Sequence, residues 1–474
     1  MAGLFSILGF TRQSMQVQQA AMETVKNNIA NVNTPGYSRL RARITENAPI
    51  REGKLIFGQG ASVSEVQALR DRFIEIRLAQ EQKKSGYYSD LSTGLKQLED
   101  VFNESGQNGL QKTLQDFFGS LLELSSDPSN ISLRQGVLLK AQTLTTNLRT
   151  KALTVQELKE QANGRVDFLA GKANDLLNEI DDLNRQLVQT EAGSIDSGAL
   201  RDKRNVALQE LGQLMEVSSY EAPNGSLIVT TGKGRVLVSE TGERTISTSI
   251  SGTTGTSRVL VDGTDITDEL LSSESGSIGA QLDFQTNILA DVSTRLDLLA
   301  QDLRDRFNAV HQQGFDLLGN AGQAFFVPAT GTISATTIQV GITDPKRIAA
   351  AGVGSTPGTS AGPGDNTNIR ALYDFSQQLP STIPIPAALT GMTYSDYLLQ
   401  LTTDIASQTS NANDSLETQT ALILQLQRQR ESVSGVSLDE EATDMIRYQK
   451  AFEASSRFFS VINQLTEEVL RLAG

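Results

Sequence analysis

Residues Asn27–Arg39 read NNIANVNTPGYSR. Four asparagines fall within seven residues, at the end of a stretch whose apolar residues recur every three or four positions. Asparagine side chains compete for backbone hydrogen bonds and favour helix ends and turns. Thr34 precedes a proline and is pushed out of the helical region. Pro35-Gly36 suits the two central positions of a type II turn, with Pro fixing φ and Gly supplying a positive one. The stretch therefore predicts a first helix that stops near Val32, a sharp turn, and an extended segment YSRLRARITENAPI in which Leu40, Ala42 and Ile44 alternate. By spacing alone it is a helix stop.

Upstream, Leu4, Leu8, Met15, Met22, Val25, Ile29 and Val32 form a coiled-coil-like stripe, with Thr11 and Gln18 at its two missing positions. The far end of the chain carries a matching stripe: Met445, Tyr448, Phe452, Phe459, Ile462, Leu465, Val469 and Leu472. Asp439, Glu440 and Glu441 suit the N-terminal dipole of that last helix, and Ser437 its cap. A stripe of this kind means helix-on-helix packing, and spacing leaves open whether the partner lies in the same chain. Two striped ends can pair with one another, which leaves the middle of the chain as an insertion pointing away.

Inside the ends, helices dominate from Asp71 to Leu211, with a break expected at Ser85-Gly86. Leu110, Leu114, Phe117, Leu121 and Leu124 make one face. Val166, Leu169, Ala173, Leu176, Ile180, Leu183 and Leu187 make a sustained heptad. Near Met215 the composition turns to Val, Ile, Thr and Gly, and Asn224-Gly225, Gly232-Lys233-Gly234 and Thr241-Gly242 punctuate a run of β-hairpins. Helix returns after Gly279 with Gly314 as its C-terminal cap. TGTISATTIQVGIT (330–343) reads as strand. The fold class is mainly α with inserted β-rich segments, the paired terminal helices at one end, a long helical bundle, and the central β segments outermost. The expected units are 1–70 with 432–474 (terminal helices), 71–213 with 280–314 and 396–431 (long-helix bundle), 214–279 (β-rich insertion), and 315–395 (mixed strand and loop, grouped with the outer part).

The chemistry of a catalyst is hard to find in this sequence. The net charge of −14 argues against a general nucleic-acid surface. There is no Cys, hence no disulfide, thiolate site or Cys nucleophile. The one histidine, His311, ends a striped helix and reads as structural. DGTDITDE (262–269) clusters acids without calcium-loop spacing and reads as a solvated loop. No glycine pair completes a phosphate or dinucleotide loop. No catalytic, metal or cofactor residue is assigned and no enzyme activity is expected. The start MAGLFSILGFTRQ has no preceding Lys or Arg and no clear cleavage site, so no cleaved signal is expected, and no apolar run is long enough for a membrane span.

Taken together, these residues resemble a known family. The unbroken run Asn27, Asn28, Ile29, Ala30, Asn31, Val32, Asn33, Thr34, Pro35, Gly36, Tyr37 is similar to the motif that closes the first helix of bacterial flagellar axial proteins. The continuation Tyr37, Ser38, Arg39 resembles the hook-associated protein 1 (FlgK) family within that group. So do SGVSLDEEATDMIRYQKAFEASSRFFSVINQL (434–465), GSIGAQLDF (276–284), FNAVHQQGFDLLGNAGQAFF (307–326) and GALRDKRNVALQEL (198–211). The resemblance implies a structural subunit of the bacterial flagellum, exported unfolded by the flagellar type III pathway. It would form a ring at the junction of hook and filament, with terminal helices that order only among neighbours. It implies as partners further copies of itself, the hook protein, the second junction protein (FlgL, hook-associated protein 3), an export chaperone of the FlgN type, and transiently the filament cap. It also implies that Asn27–Arg39 shapes subunit contacts. Competing readings are another axial protein, of hook or distal rod, and a secreted enzyme.

Overall fold

The computed structural model describes residues 2–52, 55–103, 109–191, 198–272, 274–374 and 393–473. Helix α1 (Ala2–Ala30) is followed by a ribbon of β1 (Leu40–Glu46) and β4 (Ala61–Ala68), whose outer part is β2 (Ile50–Glu52) paired with β3 (Leu55–Phe57). Helices α2 (Arg72–Phe102), α3 (Leu110–Ser126), α4 (Ile131–Glu191) and α5 (Gly198–Leu214) come next. Asp71 starts α2 by accepting the amides of Phe73 and Ile74, at 2.9 and 3.3 Å. The expected break at Ser85-Gly86 does not occur, because α2 runs straight through it. Gly86 serves close packing instead: a Cβ there would overlap the carbonyl of Gln213 on α5.

The β-rich insertion is two antiparallel sheets. One has the order β5 (Val217–Glu221), β6 (Leu227–Thr231), β7 (Val236–Ser239), β8 (Gly242–Glu243). The other places β10 (Ser257–Val261) between β9 (Ile246–Ile250) and β11 (Thr264–Asp265). The hairpin signals are physical: Gly225 and Gly234 both take positive φ. DGTDITDE is not a loop. Asp262 and Gly263 both have positive φ and form the two-residue turn between β10 and β11. Asp265 then accepts the amide of Thr267 at 2.9 Å, where α6 (Thr267–Leu271) begins.

Helix returns at α7 (Gly276–Asp283) and continues through a π turn (Phe284–Ile288), α8 (Leu289–Asp302), a second π turn (Leu303–Phe307) and α9 (Asn308–His311). Gly314 is not the cap. It lies beyond the helix end without positive φ, and a Cβ there would overlap the Asn368 amide. The strand expected in 330–343 is only β13 (Ile338–Val340), paired with β12 (Phe326–Pro328). After α10 (Thr367–Asp374), α11 (Tyr394–Ser434) opens on a full capping box between Thr393 and Asp396, and α12 (Leu438–Ala473) ends the chain.

Apolar burial falls into two cores. The first joins Leu95 and Leu98 of α2, the predicted face of α3, the first half of α4 as far as Ala162, α8, Phe307, Phe325 and Ile338, and Leu401 of α11. The described part of 315–395 packs here rather than with the β sheets, while residues 375–392 lie outside the described residues. The second core joins α4 from Val166 onward with α5, α7 and the inner faces of both sheets. All seven heptad positions from Val166 to Leu187 are buried, five of them in this core. His311 is fully buried in the first unit. Its Nδ1 bonds the Gln323 carbonyl at 2.7 Å, and its Nε2 accepts the Ala349 amide at 2.9 Å. Burial lowers its pKa to about 4.

Candidate functional site

Helices α1 and α12 lie side by side and antiparallel. Asn28 faces Glu441 at one end, and Ser14 faces Ser455 at 3.2 Å further along. The seam differs from the sequence reading in its composition. On α1 the buried positions are Thr11, Val17, Ala21, Thr24, Val25 and Asn28, whereas Leu8, Met15 and Met22 are half-buried flanks. Small side chains at the centre let two helices approach closely, and the longer ones then wrap the sides. Leu4 lies in α1, but its side chain is outside the described set. On α12, Met445, Tyr448, Phe452 and Phe459 are half-buried and Ile462 is buried. Leu465 and Val469 are exposed, contrary to the stripe, because the seam continues through Thr466. Beyond Ile462 the burial on α12 departs from the heptad positions.

The quoted stretch sits where this pair meets the body of the molecule. The helix stops at Ala30, two residues early, and the type II turn forms as expected. Gly36 has φ +79°, and the Tyr37 amide bonds the Thr34 carbonyl at 3.2 Å. Asn31 closes the last turn by donating to the Asn27 carbonyl at 2.9 Å.

Asn28 is the hub. It is 1% exposed, and every polar atom of its amide is used. Its Nδ2 donates to the Leu40 carbonyl at 2.9 Å and to Glu441 at 3.0 Å. Its Oδ1 accepts the Leu40 amide at 2.8 Å and the Tyr37 hydroxyl at 2.9 Å. One side chain thus ties the first helix, the strand after the turn and the last helix. Burial, with Asp202 and Glu441 nearby, pushes the Tyr37 phenol up to about 12, so it stays a donor.

Ser38 and Arg39 extend the joint. The Ser38 amide donates to Asp202 of α5 at 3.1 Å, and Arg70 bonds both Asp202 and the Ser38 hydroxyl. Arg39 pairs with Glu440 at 2.6 Å and Glu441 at 2.7 Å, and its amide donates to the Ser434 carbonyl at 2.9 Å. Partial burial opposes its charge, but these carboxylates outweigh that and raise its pKa. Arg430 of α11 donates to the Gly36 carbonyl at 2.8 Å. Gly36 also has to be glycine for space, since a Cβ would overlap Val206 of α5. A cleft of about 610 Å³ remains between the turn and the α11–α12 link.

The structure brings Asn28, Asn31, Gly36, Tyr37, Ser38 and Arg39 into one joint within the chain. Ile29 is half-buried beside it, while Asn27, Asn33, Thr34 and Pro35 face outward. Sequence reasoning missed Arg70, Asp202, Val206, Arg430 and Ser434. It also read the acids at 439–441 only as helix-dipole partners, although Glu441 is 1% exposed and lies against Asn28 and Arg39. The one available signal was charge order: Arg39, Arg41 and Arg43 after the turn, and an acidic run at the opposite chain end. Among the described residues, no group of three or more His, Asp or Glu side chains is placed to hold a metal ion, and no helix is long and apolar enough to cross a membrane.

Comparison with known proteins agrees with this layout. Residues 95–326 match the helical domain of flagellar hook-associated protein FlgK. Residues 427–472 match the C-terminal region of the flagellar basal-body rod FlgEFG proteins, and 12–37 match the flagellar basal-body rod protein family. These three matches together span more than half of the chain. Flagellar hook-associated protein 1 of Bacillus subtilis is 25% identical over 100% of this chain and 99% of its own length. The chain is similar to flagellar hook-associated protein 1 along its whole length. The member from Salmonella typhimurium is 26% identical over 98% of this chain and 100% of its own. The flagellar hook junction protein from Burkholderia pseudomallei shares the fold, with a TM-score of 0.66 at 15% identity, covering 76% of this chain and 100% of that one. The family match at 12–37 ends on Tyr37, so it takes in the Asn28 hub and the turn, and the match at 427–472 takes in its partner Glu441.

Proposed function

We propose that this chain is the structural subunit of the junction between hook and filament, and that its role is mechanical rather than catalytic. The observation that carries this is the joining of both chain ends into one antiparallel pair, clamped onto the helical body through Asn28, Arg39 and Asp202. A row of large apolar side chains, Ile446, Phe458, Val461 and Leu465, stays exposed on that pair. Apolar rows left in water are interaction surfaces. In this reading, residues 1–70 with 432–474 form the polymerisation unit. The segments 71–213, 280–314 and 396–431 form the bundle, 214–279 the β-rich insertion, and 315–395 a mixed segment.

The chain leaves the cell by the flagellar type III pathway and assembles as a ring of copies. The hook protein lies below it and the second junction protein (FlgL, hook-associated protein 3) above. A FlgN-type chaperone holds it before export, and the filament cap meets it transiently. The outward-facing Asn27, Asn33, Thr34 and Pro35 are the part of the motif free to touch a neighbouring subunit. An in-frame deletion tests the proposal by electron microscopy and by assay of flagellin in the medium. Bare hooks with flagellin lost to the medium are expected. Absent hooks would move the chain down to rod or hook, and normal filaments would overturn the proposal.

A further inference from the structure

The two apolar cores meet at one level of the molecule, where α2 runs through unbroken while α4 and the helix that follows α7 are each weakened. Helix α4 contributes residues up to Ala162 to the first core and from Val166 to the second. Between them stands Gly164, whose missing side chain would meet nothing within 4 Å. That glycine answers no packing need, and a mid-helix glycine loosens the helix. The return crossing runs along α7, where Ile278 and Leu282 belong to the second core and Ala280 and Phe284 to the first. The helix widens into its π turn at once, with the Leu289 amide reaching back to the Phe284 carbonyl. Alongside, a Cβ at Gly94 of α2 would stand only 3.1 Å from the Phe284 ring.

Open space flanks this level on both sides of α4. A cleft of about 380 Å³ separates α2, α4 and α7 around Gly94, Ala162 and Phe284. Another, of about 610 Å³, separates α4, α8 and the β9–β10 turn around Lys159, Thr256 and Leu289. The ties across the clefts are polar: Asp90 with Arg165 at 3.2 Å and with Gln281 at 3.4 Å, Asn163 with the Gly255 carbonyl at 3.0 Å and the Ser257 hydroxyl at 2.8 Å, and Lys159 with the Thr254 carbonyl. Gln285, fully buried in the π turn, accepts the Ser257 amide at 3.0 Å but leaves its Nε2 without a partner. A donor buried unpaired is costly, so the closed joint is not the best arrangement for every group in it.

We infer that Gly164 and the π turn Phe284–Ile288 form a flexure joint about which the β-bearing second core tilts against the helical first core. The inference stands on the geometry alone and does not depend on the proposed position in the flagellum. A tilt of about 20° is within what glycine and π turns permit in helices. Asp181 and Glu243 interact, which places the β7–β8 turn about 17 residues along α4 from the joint. At 1.5 Å per residue the tilt then moves that turn by about 9 Å.

The chain contains no cysteine, so paired spin labels go in without background. Labels at Q115C and E240C span the joint, as do labels at K96C and E240C. Labels at Q115C and E157C lie within the first unit. In the full-length chain, electron–electron distance measurements are expected to give broad or split distributions for at least one spanning pair and a narrow one for the internal pair. Adding G164A is expected to narrow the spanning distribution towards the internal one. Spanning pairs as narrow as the internal pair, or a width that G164A leaves unchanged, would overturn the inference.

Discussion

Replacing Asn28 by alanine removes four hydrogen bonds at one buried point. The two bonds to Leu40 and the one from Tyr37 are each worth about 1 kcal/mol, and the bond to the Glu441 carboxylate about 1.5–3 kcal/mol. The sum is reduced because a water can enter the space left by the amide, so the expected loss is about 3–5 kcal/mol. It should appear where Asn28 reaches, in peptides covering residues 27–40 and 438–450, and not in the α3–α4 bundle. Hydrogen exchange on the full-length chain measures this directly, since about 1.4 kcal/mol corresponds to tenfold. Exchange in those peptides should accelerate roughly 10²- to 4 × 10³-fold in Asn28→Ala. Asn28→Asp should be worse at pH 8 than at pH 5, because it sets a second carboxylate beside Glu441 and the pair then holds one proton at low pH. Equal exchange in wild type and Asn28→Ala, or wild-type exchange in these peptides as fast as in an unstructured chain, would refute the clamp.

Gly36→Ala should cost about 2–3 kcal/mol, from positive φ and from overlap with Val206, and Val206→Ala should recover part of that loss. Coupling below about 0.5 kcal/mol in a double-mutant cycle would show that the turn and α5 do not press on each other. The two acids on Arg39 should behave differently. Glu440, with a 64% exposed side chain, is expected to contribute under about 1 kcal/mol, and the buried Glu441 about 3 kcal/mol or more, as read from denaturant unfolding of the alanine variants. His311 titrates near 4 when folded and near 6.5 when unfolded. Its contribution is therefore fully present above pH 6.5 and is lost as pH falls to 4, by at most about 3 kcal/mol. Asp302, pushed up to about 6 by burial, works in the opposite direction over nearly the same window. Asp302→Asn should then steepen the loss of thermal stability between pH 6.5 and 4, and a profile no steeper than wild type would contradict this pairing.

Much of this architecture could be read from spacing. The heptad from Val166 to Leu187 and the face of α3 are buried throughout, because a 3.6-residue period fixes which side of a helix meets the core. The hairpin turns were legible because Asn-Gly and Gly-Lys-Gly leave the backbone few alternatives. What could not be read depends on partners distant in sequence. Gly86 looks like a helix breaker until Gln213 of α5 is seen against it. Gly314 looks like a cap until Asn368 is seen in the space a side chain would need. The terminal seam was assigned to its large apolar residues, yet Ala21 and Thr24 are buried while Met15 and Met22 stay half-buried, because close approach of two helices selects small side chains. The joint itself was half visible: the turn chemistry of Asn27–Arg39 announces a stop, but nothing local announces Asp202, Arg70 or Arg430.

The central claim is that this chain occupies the distal end of the hook. Immunogold labelling of isolated hook–basal bodies, with an epitope placed at the exposed β7–β8 turn, tests it most directly. Label confined to a single band at the distal end of the hook is predicted. Label along the length of the hook, at the rod, or absent from the structure would contradict the account.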